Sequence, residues 1–302
     1  MTRSPEAPWS AGSRWNAFWL GTVFMNGIAR SRVLTRALRG PSVLAAWAFS
    51  EPLRRATLAN AKRVLGAQSS DRQLRGQAKR FIATHYQFIA DLATASRQSI
   101  DAMAARIGDV RGREHFDAAH STGRGLIFVT AHLGSFEVGT AAMKDRVSAM
   151  HVVFMRDPFA VFERYRAAVR RTLGVVEAPI DDGMQTWMRL REALERGEVV
   201  LMQADRTMGK QRSLRAPFLG GHADFPVGPF QLAAMTGALV LPVFAILRAD
   251  GLVDIEIDEP IETPDGESIP DGVRRGAESI ERRVRKYPDQ WLAAHPVCVE
   301  DQ

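Results

Sequence analysis

The 302-residue chain is poor in cysteine and in long apolar runs, and both shortages limit what it can be. Its one cysteine, Cys298, cannot form an internal disulfide or anchor a cysteine-rich metal site, which favours a reducing compartment. An uncharged stretch at residues 15–29 would span roughly 22 Å as a helix, less than the roughly 30 Å hydrocarbon core of a bilayer. This stretch is therefore expected to lie on or insert into a membrane as a short helix; the alternative is a core helix whose neighbouring arginines face water.

Several cofactor and nucleophile motifs are also missing. The chain has no Walker sequence and no G-x-G-x-x-G that opens a helix after a strand, which argues against nucleotide cofactors. It has no G-x-S-x-G elbow and no active-site cysteine, so a covalent acyl-enzyme is not favoured. The seven histidines show no convergent ligand spacing. Neither a metal nor a nucleotide cofactor is therefore expected.

Positive charge is concentrated at the start of the chain. Residues 1–80 hold fourteen Lys and Arg against three Asp and Glu, a net +11, whereas the whole chain carries +6 and the remainder therefore −5. Such a basic end attracts nucleic acid, anionic lipid or an acidic protein. Its tryptophans lie in uncharged apolar runs and no zinc-finger or RNA-binding motif is present, so nucleic acid is not the expected partner. The pattern favours the surface of a membrane that contains anionic lipid.

The chain changes character near residue 107, from helical apolar spacing to short β-branched runs that alternate with helical patterns. Strands are predicted at residues 125–130, 151–154, 199–202, 239–244 and 253–257. Helices are predicted at residues 159–173, 183–196, 229–236 and 272–286. We expect an α/β fold with a mostly parallel, covered sheet at 108–302, and a basic helical section at 1–107 that belongs to the same domain.

The segment around His132 carries the most informative chemistry. A strand at residues 126–130 leaves His132 just beyond its carboxyl end, where open α/β sheets usually bind their ligands. Gly134 permits a tight turn, and Glu137 falls in the first turn of the next helix. A neutral histidine can accept a hydroxyl proton, and a carboxylate on its other ring nitrogen stabilises the imidazolium. We therefore expect His132 and Glu137 to meet, with backbone N–H groups at the helix start as oxyanion donors.

Further blocks follow this H-x4-E pair in a recognisable order. They are Met155-Arg156-Asp157-Pro158, Asp205-Arg206-Thr207-Met208-Gly209, Pro217-Phe218-Leu219-Gly220-Gly221, Phe225-Pro226-Val227-Gly228 and Tyr287-Pro288-Asp289-Gln290-Trp291. Together with Arg113–Gly125 before it, this ordered set resembles the bacterial lipid A late acyltransferases (lauroyl/myristoyl transferases), within the lysophospholipid acyltransferase-like group. The resemblance covers most of the chain, from near Trp15 to His295.

The resemblance implies acyl transfer from a thioester, commonly on acyl carrier protein, to a hydroxyl of a lipid or glycolipid, without a cofactor. It makes His132 the base and Glu137 its orienting partner. Arg156 would hold a phosphate or other acidic group of the acceptor, and Asp205 and Arg206 would shape the polar end of the site. The enzyme would act at the cytoplasmic face of the bacterial inner membrane, held there peripherally or by its N-terminal segment.

Glycines and one aromatic residue complete the expected substrate contacts. Gly134, Phe218 and Gly220 are candidates because glycine-rich backbone can approach an acyl chain or headgroup closely. Two departures from the family pattern concern the acceptor. Ser135-Phe136 stands where many members have Asn-Trp, and the segment after Trp291 lacks the usual arginines. Both leave room for another lipid or a polyene-type hydroxyl acceptor.

Two alternatives share this fold. One is a lysophospholipid or glycolipid acyltransferase that uses acyl-CoA, which has the same chemistry with a different donor. The other is a lipid-binding protein without catalytic activity. The choice of donor separates the first alternative, and thioester turnover separates the second.

Overall fold

The computed structural model describes most of the chain, namely Gly27 and residues 31–66, 68–157, 159–207 and 211–299. The uncharged stretch 15–29, apart from Gly27, lies outside the described residues. So do Pro158, Met208 and Gly209 of the quoted blocks.

Helices occupy the N-terminal part of the described chain, as the sequence predicts. They are α1 (Arg32–Phe49), α2 (Glu51–Leu65) and α3 (Asp71–Ala95). Ser31 caps α1 by accepting a hydrogen bond from the Leu34 N–H, and Ser70 and Gln73 form a capping box at the start of α3. Both α1 and α2 pack against α3.

Helix α1 exposes several large apolar side chains. Val33, Leu44 and Phe49 are 77%, 59% and 90% exposed, and the helix contains no acidic residue. Large apolar side chains left exposed on a basic helix are typical of helices that contact membranes. Within the described part of the chain, no helix combines the length and the apolar character needed to span a bilayer.

The remainder of the described chain builds two sheets. The strands are β1 (Ile107–Arg111), β2 (Leu126–Thr130), β3 (Met150–Phe154), β4 (Val176–Pro179), β5 (Val199–Gln203), β6 (Ser213–Phe218), β7 (Gly221–Pro226), β8 (Leu239–Leu247), β9 (Val253–Ile257) and β10 (Cys298–Val299). The main sheet has seven strands in the order β1-β9-β8-β2-β5-β3-β4. Strand β2 lies at its centre and runs parallel to both β8 and β5.

Helices cover both faces of the main sheet. They are α4 (Ile100–Ala104), α5 (Arg113–Ser121), α6 (Phe136–Ala141), α7 (Ala160–Leu173), α8 (Met184–Glu195), α9 (Gly228–Thr236) and α10 (Ile269–Lys286). Alternate residues of β2 enter different hydrophobic cores, with Ile127 and Val129 in one and Leu126 and Phe128 in the other. A strand buried on both faces explains the continuous apolar run in the sequence. The prediction of a mostly parallel, covered α/β sheet is confirmed.

One edge of the sheet departs from the parallel arrangement. Strands β8 and β9 are antiparallel, so β9 and its parallel partner β1 run against the other five strands. Only residues 248–252 separate β8 from β9. A connection this short allows a hairpin, whereas a parallel crossover needs a dozen or more residues.

Residues 217–226, which include the candidate substrate contacts Phe218 and Gly220, form part of a hairpin of the second sheet. Strands β6 and β7 pair antiparallel, and β10 pairs with β7. The turn between them consists of Leu219 and Gly220, at φ 50° and 73°. Two positive φ values suit the twist of a two-residue hairpin, and Leu219 is held there although it is not glycine because its side chain is buried in the core.

Candidate active site

His132 lies in the loop that leaves β2 at its carboxyl end, where the sequence predicts it. Gly134 allows this loop to lie against β8. Its φ is 72°, and a Cβ atom there would come within 1.9 Å of the Ala245 carbonyl oxygen. The neighbouring Ser135 N–H donates to the same carbonyl at 2.9 Å. The turn that carries the histidine is therefore fixed to the sheet, and Gly134 has a structural reason to be glycine.

Asp205 occupies the corresponding position on the neighbouring strand. Strands β2 and β5 are in parallel register, with Thr130 opposite Gln203. Two residues further on, the His132 ring Nδ1 and Asp205 Oδ1 are 2.7 Å apart, and the His132 backbone N–H donates to the same oxygen at 3.1 Å. The parallel register thus brings together two residues that are 73 positions apart.

Asp205 is fully buried and receives further hydrogen bonds. The Trp291 indole Nε1–H donates to Oδ2 at 3.2 Å and the Arg206 guanidinium at 3.1 Å. Burial alone would raise the pKa of Asp205, but the charges of Arg206 and His132 and the hydrogen bonds from His132 hold this pKa well below its usual range. The aspartate is therefore ionised and acts as an acceptor for the His132 Nδ1–H.

His132 is poised as a neutral base. Burial lowers the pKa of His132 below its usual value, and the charge of Arg206 lowers it further, although Asp205 acts in the opposite direction. With Nδ1–H donated to the carboxylate, Nε2 carries the lone pair. The side chain keeps 18% exposure, so a substrate hydroxyl can approach it.

The carboxylate that is hydrogen-bonded to His132 is thus Asp205, whereas Glu137 was expected from the sequence. Glu137 lies in the first turn of α6, but among the described residues neither a hydrogen bond nor an ion pair joins it to His132. Its carboxyl group borders a cavity of about 70 Å³ that Phe88, Phe136 and Arg166 also line. Burial, with a smaller contribution from the nearby Asp91, raises the pKa of Glu137 to about 7. The His132 Nδ1 atom is bonded to Asp205, which the strand register places beside it, and Glu137 lies elsewhere.

The backbone amides of the loop between β2 and α6 have acceptors within the protein, and the oxyanion donors expected at the start of α6 remain a prediction. The N–H groups of residues 132, 133, 134 and 135 donate to Asp205, Ala131, Gln290 and Ala245 respectively. These amides fix the loop to its surroundings. They do not have the open arrangement of an oxyanion hole, in which donors point at the reacting atom.

The last segment of the chain closes the site from one side. Trp291 is fully buried, and its ring makes edge contacts at 6.0 Å with both Phe81 and Phe218. The Leu292 N–H donates to the His132 carbonyl oxygen at 2.8 Å. The closing motif was recognisable in the sequence, but its hydrogen bond to Asp205 was not.

Arg206 links this segment to α2. Its guanidinium donates to the Leu292 carbonyl oxygen and contacts the His295 ring at 3.2 Å. The Asn60 side-chain amide donates to the His295 carbonyl oxygen at 2.7 Å. Arg206 was predictable from the sequence, whereas Asn60 and His295 were not, because their roles depend on contacts between distant parts of the chain.

Three other predicted residues lie away from His132. Arg156 follows β3 at the surface, where its guanidinium pairs with Asp181 and Asp182. Phe218 is buried beneath Trp291. Gly220 lies at the β6–β7 turn, where its carbonyl oxygen accepts a hydrogen bond from Arg63 at 3.3 Å.

Gly220 also borders a wide cleft of about 1150 Å³. Cationic side chains contribute much of the lining, namely Arg55, Lys62, Arg63 and Arg285. Glu51, the acidic residue in the lining, is paired with Arg55. Asn60 lies at the border of this cleft as well, so the cleft adjoins the segment that holds Arg206.

A second cavity, of about 730 Å³, lies beside the carboxyl ends of β3 and β5. It is rich in methionine, with Met155, Met184, Met188, Met202 and Met235. Gln203, two residues before Asp205, lines both this cavity and the one beside Glu137. Methionine side chains adapt to irregular apolar ligands. Across the described ranges, no three His, Cys, Asp or Glu side chains cluster in a way that could hold a metal ion.

Comparison with known proteins connects this geometry to a family. The model described as bacterial lipid A biosynthesis acyltransferase matches residues 9–297. Phosphatidylinositol mannoside acyltransferase of Mycobacterium tuberculosis is 24% identical over 194 residues, which is 64% of this chain and 60% of that protein. The corresponding protein of Mycolicibacterium smegmatis is 23% identical over 195 residues, or 64% and 63% of the two chains.

A lipid A biosynthesis lauroyltransferase is similar to the same extent. The Escherichia coli K12 protein is 24% identical over 217 residues, which is 65% of this chain and 63% of that protein. The chain therefore spans about three fifths of the length of the curated relatives that it matches.

The raised pKa of Glu137 predicts a pH-dependent stability. The unfolded carboxyl loses its proton near pH 4.5 and the folded one near about 7, so the free energy of unfolding should fall as pH rises through this interval. The loss is at most about 1.4 kcal/mol per pH unit. Urea unfolding at pH 5 and pH 8 should show a smaller loss for Glu137→Gln than for the wild type. The exposed Glu192→Gln is the control, and identical pH dependence in all three proteins would contradict the assignment.

Proposed function

Because the chain belongs to the bacterial lipid A biosynthesis acyltransferase family, we propose that it transfers a fatty acyl group from a thioester to a hydroxyl of a lipid or glycolipid. The observation that carries the proposal is the hydrogen bond between the neutral His132 and the buried Asp205. This pair supplies a base that is oriented and electrostatically supported, which is what proton removal from a hydroxyl requires.

The reaction uses the pair in two steps. His132 Nε2 takes the proton of the acceptor hydroxyl as its oxygen attacks the thioester carbonyl carbon, and Asp205 stabilises the imidazolium that forms. The resulting tetrahedral oxyanion then collapses, the carbon–sulfur bond breaks, and the imidazolium returns its proton to the leaving thiolate. The products are an ester and a free thiol, and no acyl-enzyme is formed.

Glu137 remains part of the proposed site in a role different from orienting the base. The positive charge of Arg166 acts on both His132 and Glu137, so this arginine lies close to both groups. A carboxyl group with a pKa of about 7 changes its charge within the working pH range and thereby modulates the field at the base.

The 730 Å³ cavity is the proposed site of the acyl chain. Its methionine-rich lining is apolar and adaptable, and Gln203 connects it along β5 to Asp205. The volume lies within the range of cavities that hold ligands of moderate size. The open side of the cavity, where Met184 and Met188 are exposed, gives a flexible chain a route of entry.

Acyl carrier protein is the proposed donor, and the cationic cleft is its proposed docking site. Arg55, Lys62, Arg63 and Arg285 face an open space of about 1150 Å³ next to the segment that holds Arg206. A concentration of positive charge favours an acidic carrier over a neutral one and increases its rate of association. Acyl-CoA, whose phosphates are also anionic, is the alternative donor.

A glycolipid is the proposed acceptor. Two of the relatives are named for acylating phosphatidylinositol mannoside, and a third for transferring a lauroyl group in lipid A biosynthesis. Arg156, at the carboxyl edge of the sheet, carries a guanidinium that can exchange its carboxylate partners for a phosphate of such a lipid.

The cytoplasmic face of the inner membrane is the proposed location. The exposed Val33, Leu44 and Phe49 of α1 would enter the interfacial layer, and the arginines of α1 and α2 would attract anionic headgroups. The protein would then lie on the membrane, with its cleft and active site within reach of both the carrier and the lipid.

Acyl transfer into lipid tests the proposal directly. Labelled acyl carrier protein and, separately, labelled acyl-CoA are incubated with lipid extract from the native organism and with wild type or His132→Ala. We expect the wild type to label a lipid ester and His132→Ala to be slower by roughly 10²–10⁴-fold, since the base is lost.

The control is His120→Ala, because His120 is exposed and stacks on Phe116. Full activity of a folded His132→Ala would contradict the catalytic assignment. Absence of transfer by the wild type from either donor would favour a lipid-binding protein without catalytic activity.

Membrane binding through α1 gives a separate prediction. The double variant Leu44→Asp/Phe49→Asp should bind anionic phospholipid vesicles at least about tenfold more weakly, because burial of large apolar side chains contributes roughly 1.5–3 kcal/mol each. Binding should also weaken as salt concentration rises. Co-sedimentation with vesicles measures both effects, and Val176→Asp, an exposed apolar position on the edge strand β4, is the control. Equal binding of all three proteins would contradict this role of α1.

A further inference from the structure

One face of α3 lies directly over the catalytic loop. Phe81, His85 and Phe88 share this face, since residues three and four apart are neighbours on a helix. The Phe81 ring contacts Trp291, which donates to the catalytic aspartate, and the Phe88 ring lies 6.1 Å from Phe136 at the end of the loop. His85 lies between these two contacts and therefore faces the segment that carries the base.

The ring nitrogen Nδ1 of His85 has no evident structural role in this position. Its Nδ1 is buried and has no hydrogen-bond partner among the described residues, and the same is true of Arg206 Nε. Unpaired polar atoms in buried positions are costly, so natural proteins keep few of them and usually for a reason. The charges of Arg206 and His132 both act on His85, so the two unpaired nitrogens lie near the base. Each can donate to an acceptor atom there, Nδ1 in the tautomer that carries its hydrogen.

The reaction requires such donors. Attack on a thioester turns its carbonyl oxygen into an oxyanion, and donors arranged in advance to meet this charge are often the largest single contribution to catalysis. The backbone amides of residues 132–135 cannot supply them because each already donates to another acceptor. Buried side-chain donors beside His132 are available for this role.

We propose that His85 Nδ1–H and Arg206 Nε–H donate hydrogen bonds to the thioester carbonyl oxygen as it becomes an oxyanion beside His132. This inference rests on the acyl transfer proposed above and extends it, because it makes a residue of the N-terminal helices part of the catalytic machinery. The helical section then contributes to the chemistry as well as to contact with the membrane.

The surroundings of His85 suit a neutral donor. Burial lowers its pKa to about 4, and the charges of Arg206, His132 and Arg166 act in the same direction. Burial likewise lowers the pKa of His295, which contacts Arg206, to about 4. At neutral pH both rings are uncharged, so neither competes with His132 as a charged acid and Arg206 supplies the positive charge that the oxyanion needs.

The bonds change in a simple sequence. The acceptor oxygen forms a bond to the carbonyl carbon while its proton passes to His132 Nε2, and the electron pair of the carbonyl π bond moves to the oxygen. His85 and Arg206 hold this oxyanion by hydrogen bonds and keep their own protons throughout. Collapse restores the carbonyl, and the thiolate departs with the proton from His132.

The test compares His85→Leu, which removes the donor but fills the space, with His85→Asn, whose amide can place an N–H near the position of Nδ1. Acyl transfer is measured together with the slow hydrolysis of the thioester by water, which passes through the same oxyanion without a lipid acceptor. His120→Leu controls for loss of an unrelated histidine, and thermal unfolding checks that every variant is folded.

We expect His85→Leu to lower kcat for transfer and for hydrolysis by roughly 10²–10³-fold with little change in KM, and His85→Asn to recover a large part of the loss. Full activity of a folded His85→Leu would overturn the inference and leave acyl transfer intact. So would an effect on KM alone, or equal loss in both His85 variants, since these indicate packing. Absence of both reactions in the wild type would overturn the proposed function together with this inference.

Discussion

The hydrogen bond between the His132 ring and the Asp205 carboxylate is the contact on which the rest of the site depends. It exists because β2 and β5 are adjacent parallel strands in register, so residues at equal distances beyond their ends meet. The buried aspartate remains ionised because His132, Trp291 and Arg206 all donate to it. The same bond fixes the tautomer of the histidine and leaves Nε2 available for a proton. The proposed catalysis therefore depends on the geometry of the sheet more than on any local motif.

The C-terminal segment completes this arrangement from outside the sheet. Gln290 is bonded through its side chain to both the N–H and the carbonyl of Leu247 and through its own carbonyl to the Gly134 N–H. Trp291 then reaches Asp205 from a fully buried position. The loop that bears His132 is thus held between β8 and this segment, which limits the movement of the base. Such restriction is what a preorganised site requires.

The sequence predicts those features that are local in the chain. Short β-branched runs such as 125–130 and their alternation with helices establish the covered sheet, and the place of His132 follows from the end of its strand. The partner of His132 could not be predicted, because Glu137 is five residues away whereas Asp205 is brought in by a strand pairing across 73 positions. The hairpin turn at Leu219 could not be predicted for another reason. Its positive φ is stabilised by burial of the leucine side chain, whereas such turns usually contain glycine or asparagine.

A comparison of single and double variants tests most directly whether His132 and Asp205 act as one unit. We would measure kcat for acyl transfer with His132→Ala, Asp205→Asn and the double variant, after confirming that each is folded. The account predicts that each single variant loses most of the activity and that the double variant is scarcely slower than His132→Ala, since residues that act together are strongly non-additive. Losses that multiply in the double variant, or nearly full activity of Asp205→Asn, would contradict it.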